Sequence, residues 1–198
     1  MIKFIKQKNK AFTLVEMMVA VSIFTVSILG MISILASGLS NTSYAKQKMV
    51  ATYLAQEGIE YMRNMRDTYV LYQPSTSGWN YFFNLMINDT ISGGNNCSIN
   101  NGCYFLELKD SDYNNLKSPM AYLTLDYCNE NYCSDHHLLY KNLTGEYGYD
   151  NGGIDSGFSR QIKAERIAND EIKITSTVYW HQGSGLKSVM FSENLTNA

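Results

Sequence analysis

Residues 17–36 read MMVAVSIFTVSILGMISILA, twenty residues without a charge, and this run decides what kind of fold follows. As an α-helix rising 1.5 Å per residue it spans ~30 Å, the thickness of a bilayer's hydrocarbon layer. Lys3, Lys6, Lys8 and Lys10 precede it with no acid among residues 1–11, and only Lys46 and Lys48 follow closely. Positive charge stays on the cytoplasmic side, so the N-terminus is expected inside and everything after about Leu39 outside. Two simple readings present themselves. One is an ordinary signal anchor. The other is a cleaved secretory signal, cut near Leu35-Ala36-Ser37 or Ser43-Tyr44-Ala45, although the apolar region of such signals is usually about 7–15 residues.

Glu16 fits neither reading. It stands at the mouth of the apolar run, where a carboxylate costs a few kcal/mol unless it meets a partner. Its neighbours one helical turn away are Phe12 and Ala20, neither of them basic. The partner has to come from elsewhere.

The stretch Lys8-Asn9-Lys10-Ala11-Phe12-Thr13-Leu14-Val15-Glu16, followed at once by the apolar run, resembles the class III signal of type IV pilins and type II secretion pseudopilins. That family's pattern is a short basic leader, a small residue, then Phe-Thr-Leu-[Ile/Val]-Glu. The resemblance implies that a prepilin peptidase cuts between Ala11 and Phe12 and methylates the new amine of Phe12. It also implies that Glu16 attracts the N-terminal amine of a neighbouring subunit during assembly. The physics agrees: a carboxylate tolerates burial when an ammonium meets it, and removing either leaves an uncompensated charge costing ~3–5 kcal/mol. Ala11 departs from the family's usual Gly, and slower cleavage is the expected result.

The helical pattern outlasts the membrane run, since no Pro interrupts residues 1–73. Ala51, Leu54, Ala55, Gly58, Met62 and Met65 recur at three- and four-residue steps, the apolar stripe of an amphipathic helix. Glu60, Arg63, Asn64 and Asp67 take the other side, with Glu60 and Arg63 placed to pair at i, i+3. One helix from Phe12 to about Asp67, on the order of 80 Å long, is predicted. It is apolar all round in its first half and on one face in its second. The expected organisation is a basic leader at 1–11, the long helix at 12–67 and a head at 68–198. That is an α+β arrangement in which the amphipathic half packs on an antiparallel sheet, as the pilin fold requires. Ala51–Asp67 is similar to the same region of V-type minor pilins and I-class pseudopilins. Major pilins often carry a Pro within the membrane segment, whereas this chain has Gly30 and several Ser and Thr there.

About 130 residues remain for the head, enough to bury roughly two-thirds of their surface. Tyr, Asn, Gly and Ser dominate between Tyr72 and Asn101, which reads as an irregular connection with a short helix at Tyr81–Met86. Strand patterns follow at Cys103–Leu108, Met120–Tyr127 and Leu138–Lys141. A meander of Phe158–Arg166, a strand around Ile172–Trp180 and Leu186–Leu195 ends the chain, turning at Asn169-Asp170 and Gly183-Ser184-Gly185. In its central strand Ile172, Ile174, Val178 and Trp180 share one face, with Glu171, Lys173, Thr175 and Thr177 opposite. Val178-x-Trp180 and Val189-x-Phe191 resemble the final strands of V-type minor pilins.

Cys97, Cys103, Cys128 and Cys133 all fall outside the membrane by this topology, where oxidation is normal. Two disulfides are expected, out of three possible connectivities. Local pairs, Cys97 with Cys103 and Cys128 with Cys133, are favoured and would pin two polar loops. Crossed pairing would tie the loops together and close longer loops. A zinc site of four thiolates is the alternative, but paired zinc cysteines are usually separated by about two to four residues, and the gaps of five and four here fit poorly.

Asp150, Asn151 and Asp155, in the loop Asp150-Asn151-Gly152-Gly153-Ile154-Asp155, offer oxygen ligands of the kind calcium takes, as does Asp126–Asp135. Some pseudopilins carry calcium near the sheet, yet the D-x-[DN]-x-[DN]-G register is absent and a solvated turn is the plainer reading. His136 and His137 are adjacent, so on a strand they point to opposite faces and do not form one site. No nucleophile elbow, Gly-rich phosphate loop or HExxH occurs. The formal net charge is -2, and the four leader lysines removed from 16 basic residues leave 12 against 18 acidic ones. That balance argues against nucleic acid as a partner. Fifteen tyrosines suit a small core and its interfaces.

Together these readings describe no enzyme. They describe a structural subunit of a type IV pilus-like filament, most similar to a minor pilin, with no resident cofactor beyond the calcium candidates. The partners the resemblance implies are the prepilin peptidase, other pilin subunits, the inner-membrane assembly platform, and lipid before assembly. The expected location is a single-pass membrane protein with an exported head, then the pilus and cell surface. A tip subunit binding a surface, host cell or DNA, and a type II secretion pseudopilin, are the competing members of the same scheme. An anchored receptor or enzyme with an uncut N-terminus is the reading outside it.

Overall fold

The structure is a computed structural model that describes residues 13–72, 76–88, 97–98, 102–107, 123–149 and 152–197. The chain divides into two compact units, residues 1–45 and 46–198, and helix α1 (Leu14–Tyr72) contributes to both.

In the first unit every described residue is exposed. Val15, Met18, Phe24, Leu29 and Ile34 lie more than half open on successive sides of the helix. A helix apolar all round is made for surroundings other than water, and its length and composition suffice to cross a membrane. Several hydroxyls within it are satisfied by the helix itself. Ser22 donates to the Val19 carbonyl at 2.8 Å, Thr25 to Ser22 at 2.9 Å and Ser27 to Ile23 at 2.8 Å. Such back-bonding removes the cost of carrying a hydroxyl into hydrocarbon.

The second unit is built on the amphipathic part of α1. The predicted stripe is buried throughout: Ala51, Ala55 and Met62 are fully enclosed, and Leu54 and Met65 nearly so. The helix ends at Tyr72 rather than near Asp67 because the stripe goes on, through Tyr69, which is buried too. A second helix, α2 (Thr76–Ile87), is longer than the predicted Tyr81–Met86. Its buried positions Trp79, Phe82, Phe83 and Met86 follow the i, i+3, i+4, i+7 rule, so the stripe starts before Tyr81. They join Met62, Met65 and Tyr69 of α1 in the larger of the core clusters.

Among the described residues seven strands form one antiparallel sheet: β1 (Cys103–Glu107), β2 (Leu123–Tyr127), β3 (His137–Tyr140), β4 (Tyr147–Gly148), β5 (Ile154–Arg166), β6 (Glu171–Gln182) and β7 (Gly185–Thr196). The predicted meander is β5–β6–β7. Its last hairpin runs without a bulge from the Glu171–Thr196 pair to Gln182–Gly185. Gly183, at φ 59°, and Ser184 form the two-residue turn, which needs a residue that tolerates positive φ. β5 begins at Ile154, four residues before the predicted Phe158, and those residues pair with β3. β5 is therefore a divided strand. One edge pairs with β6 from Phe158 to Arg166; the other is shared between β3, with Ser159 opposite His137, and β1, with Ile162 opposite Cys103. The two-residue β4 was not anticipated. Of the predicted strand ends, Leu108 and residues 120–122 lie outside the described residues.

Ile172, Ile174, Val178 and Trp180 face α1 and are buried as the alternation required. The opposite face departs from expectation, because Thr177 is buried, as are Ser159 and Gln161 beside it. A 3-10 turn at Asn131–Cys133 folds over this face. The Ser159 hydroxyl donates to the Tyr132 carbonyl at 2.9 Å, the Tyr132 ring lies 4.7 Å from that of Tyr179, and the Tyr179 hydroxyl donates to Gln161 at 3.2 Å.

Candidate functional site

Of the processing and assembly residues predicted from the sequence, Glu16 lies in the first turn of α1. Ala11 and Phe12 lie outside the described residues. Thr13 caps the helix, its hydroxyl oxygen accepting the Glu16 N–H at 3.3 Å. Thr13 and Glu16 have the spacing of a capping box, in which a hydroxyl residue is followed three positions later by a glutamate. Glu16 is exposed in the first turn, where the helix dipole favours a negative charge.

In the head, the four cysteines form the two local pairs, Cys97–Cys103 with Cα atoms 5.1 Å apart and Cys128–Cys133 at 4.9 Å. The crossed pairing and the four-thiolate zinc arrangement are thereby excluded. The two bridges meet around β1: Cys128 N–H donates to the Gly102 carbonyl at 3.0 Å, and Cys133 Sγ lies 3.8 Å from the Cys103 carbonyl. Tyr132 and Cys133 both adopt positive φ, 64° and 51°, an unusual conformation for residues with side chains. The short disulfide loop holds them there.

Of the calcium candidates, Asp150 and Asn151 lie outside the described residues. Asp155 is engaged by protein groups: the His137 ring Nδ1 lies 2.9 Å from one carboxylate oxygen, and the Gly157 N–H donates to the other at 2.8 Å. These bonds, His137 foremost, hold the Asp155 carboxyl below the usual range. Among the described residues no group of three or more His, Cys, Asp or Glu is arranged to hold a metal ion. His136 is a bend residue just before β3 rather than a strand residue, so the strand alternation expected to send the two rings apart does not apply. His136 and His137 line one shallow pocket with Tyr104, Asp135 and Asp155. His136 stacks on Tyr104 with ring centroids 4.0 Å apart and pairs with Asp135 at 3.2 Å. Burial, with the neighbouring Asp126 carboxylate, pushes the Tyr104 hydroxyl up to about 12.

Sequence reasoning missed Arg160. It is 1% exposed in β5, donates to the Leu54 carbonyl at 3.1 Å and to Glu57 at 2.8 Å, and lies over the rings of Phe105 and Tyr61 at 5.1 and 5.5 Å. Gly58 makes room for this contact, since a Cβ there would stand 2.4 Å from Ser176 Oγ and 3.1 Å from Arg160 Cδ. The predicted Glu60–Arg63 pair forms at 2.5 Å, and Arg63 also reaches Glu193 of β7 at 2.5 Å. Arg160 and Arg63 thus fasten α1 to two strands of the sheet.

A long N-terminal helix, apolar first and amphipathic after, with an antiparallel seven-stranded sheet, is an α+β, pilin-like architecture. A family model, the prokaryotic N-terminal methylation motif, matches residues 6–32. The chain carries the signal of type IV pilins and pseudopilins. Comparison with curated proteins and with solved structures found no match.

Proposed function

We propose that this chain is a structural subunit of a type IV pilus-like filament, a minor pilin, cut by a prepilin peptidase between Ala11 and Phe12 and N-methylated on Phe12. The observation that carries the reading is the methylation motif at residues 6–32 running straight into a helix whose apolar side chains are exposed on every side. Lipid covers such a helix before assembly and other subunits' helices cover it afterwards. Glu16 is the residue assigned to recruitment. The amine released at Phe12 is the ion that matches its charge, which links processing to assembly. The signal implies a structural subunit rather than an enzyme, anchored in the membrane and exported. The minor role is supported by the similarity of Ala51–Asp67 and of Val178-x-Trp180 to V-type minor pilins.

The test is the N-terminal mass of the protein recovered from membranes and from sheared filaments. N-methyl-Phe12 in both fractions is the expected result. An intact Met1 in cells with an active prepilin peptidase would overturn the reading and leave a membrane-anchored binding domain. Processed protein that sediments with a secretion apparatus and never with pili would make it a pseudopilin.

A further inference from the structure

β7 is an edge strand: among the described residues it pairs with β6 alone. An edge presents unpaired N–H and C=O groups, and natural sheets blunt it with proline, bulges or charges that repel a second strand. β7 has no proline and its pairing with β6 has no bulge. Its two charged residues, Lys187 and Glu193, are of opposite sign and stand three positions either side of Met190. Around Met190 the residue types mirror one another: Val189 and Phe191, then Ser188 and Ser192, then the two charges. Met190 lies opposite Thr177, on the side of the sheet away from α1, and is 64% exposed.

The hairpin turn fixes which groups of β7 are free. A two-residue turn is closed by a hydrogen-bonded pair, here Gln182 with Gly185. Hydrogen-bonded and non-hydrogen-bonded pairs then alternate along the ladder. Lys187, Val189, Phe191 and Glu193 therefore turn their main-chain groups toward β6, while Ser188, Met190 and Ser192 turn theirs outward. A second β7 laid antiparallel along this edge, Met190 opposite Met190, brings outward residues opposite outward residues, Ser188 facing Ser192. That register offers about ten main-chain hydrogen bonds. It also sets Lys187 opposite Glu193 at both ends, at non-hydrogen-bonded positions, where side chains come closest. Lys187 is exposed and has no ion-pair partner among the described residues. A slip of two residues keeps the main-chain match but sets Lys187 against Phe191 or Leu195, and both charge pairs are lost.

We infer that β7 pairs through its free edge with β7 of a second copy of this chain, antiparallel and centred on Met190, the Lys187–Glu193 match fixing the register. The contact is isologous, and its two-fold axis joins the two sheets into one. Residues 46–72 of α1 then run in opposite directions in the two copies. Subunits of one filament share a polarity, so the partner copy belongs to a second filament lying antiparallel to the first. That placing rests on the filament reading above; the strand pairing does not.

All four native cysteines are bridged, so an introduced cysteine is the sole free thiol. The experiment oxidises the detergent-solubilised full chain carrying Met190→Cys, with Lys163→Cys, exposed on the inner strand β5, as the comparison. Hydrogen-bonded antiparallel partners sit about 5.5 Å apart at Cα, within the span of a disulfide. Met190→Cys is expected to give at least ten times more disulfide-linked dimer than Lys163→Cys. Mixed Ser188→Cys and Ser192→Cys chains should give the mixed dimer in preference to either homodimer. Adding Lys187→Glu to the Met190→Cys chain sets like charges opposite each other and should cut its dimer yield at least tenfold, with urea unfolding of the reduced chain unchanged. Equal yields at positions 190 and 163, or no preference for the mixed dimer, overturns the pairing. Sheared filaments from two differently tagged Met190→Cys strains, mixed before oxidation, should yield a dimer carrying both tags. Dimer in detergent without that mixed-tag product overturns the placing between filaments and leaves the strand pairing. Dimer from a chain that never enters filaments overturns the filament reading instead.

Discussion

The guanidinium of Arg160 meets the carboxylate of Glu57 at 2.8 Å, with the arginine sealed in the sheet and the glutamate partly open to water. The asymmetry decides which partner is harder to lose. Removing Glu57 strands a buried cation, whereas removing Arg160 leaves a carboxylate that water can reach. Loss of one member of a buried pair costs ~3–5 kcal/mol, and partial solvation of this one reduces that figure. Glu57→Ala is therefore expected to destabilise the detergent-solubilised protein by about 2 kcal/mol in urea unfolding. Arg160→Met, which keeps the packing under Tyr61 and Phe105, should cost less. The reverse order would show that the arginine's hold on the Leu54 carbonyl, not the ion pair, fastens the helix.

Gly58→Ala sets two effects against each other. An exposed helical position would gain about 1 kcal/mol from alanine's propensity. Here the new methyl meets Ser176 Oγ at 2.4 Å and Ile162 Cδ1 at 3.2 Å, and overpacking costs about 1–3 kcal/mol. A net loss of about 1 kcal/mol is expected in the same unfolding measurement. Ser176→Ala should recover part of it, since the Ser176 hydroxyl is buried without a partner among the described residues. Strict additivity of the two changes would refute the close contact.

Alkali should loosen the head before it harms the helix. Tyr69 and Tyr104 are both pushed up from 10.0 to about 12, mainly by burial, and Tyr147 and Tyr179 move the same way. The folded state prefers these hydroxyls neutral. Its stability is thus fully present below pH 10 and falls as pH rises from 10 toward about 12, where the unfolded chain ionises first. Tyrosinate absorbance during an alkaline titration should show a late, unfolding-linked group of tyrosines. Tyr104→Phe should reduce that group. A single unperturbed transition would contradict the burial of these hydroxyls.

Glu16→Ala is expected to leave cleavage at Phe12 intact and to deplete the protein from filaments. An unmatched charge of about 3 kcal/mol corresponds to roughly a hundredfold in an equilibrium. Comparison of membrane and sheared fractions by immunoblot measures this directly. Equal incorporation of wild type and variant would separate processing from assembly and remove Glu16 from the mechanism.

Periodic elements were the ones readable in advance. Ala51 to Met65 and Ile172 to Trp180 repeat at helical and strand periods, and both stripes are buried. What escaped prediction depends on residues far apart in the chain. Arg160 looks like one more polar residue in a strand, and its partner Glu57 lies 103 positions away. The only sequence signal was a cation amid Phe158, Ile162 and Ala164. Thr177 fell on the polar side of its strand by alternation, but a disulfide loop closes over that side, and alternation carries no information about loops. The N-terminal signal was legible for a different reason: leader, Phe12, Glu16 and the apolar run are contiguous.

The hydroxyls of Ser22, Thr25 and Ser27, each tied to a carbonyl of its own helix, need no partner from the medium around the apolar part of α1. Passing from oil to a bundle of like helices would break none of these three hydrogen bonds. Along this part of the rod the move leaves only the difference between lipid and side-chain packing, which is small and nearly the same at every turn. The group among its described residues that would distinguish the two surroundings most sharply is the Glu16 carboxylate in its first turn. On the filament reading proposed above, a subunit built this way would wait in the membrane without strain and leave it on an electrostatic cue.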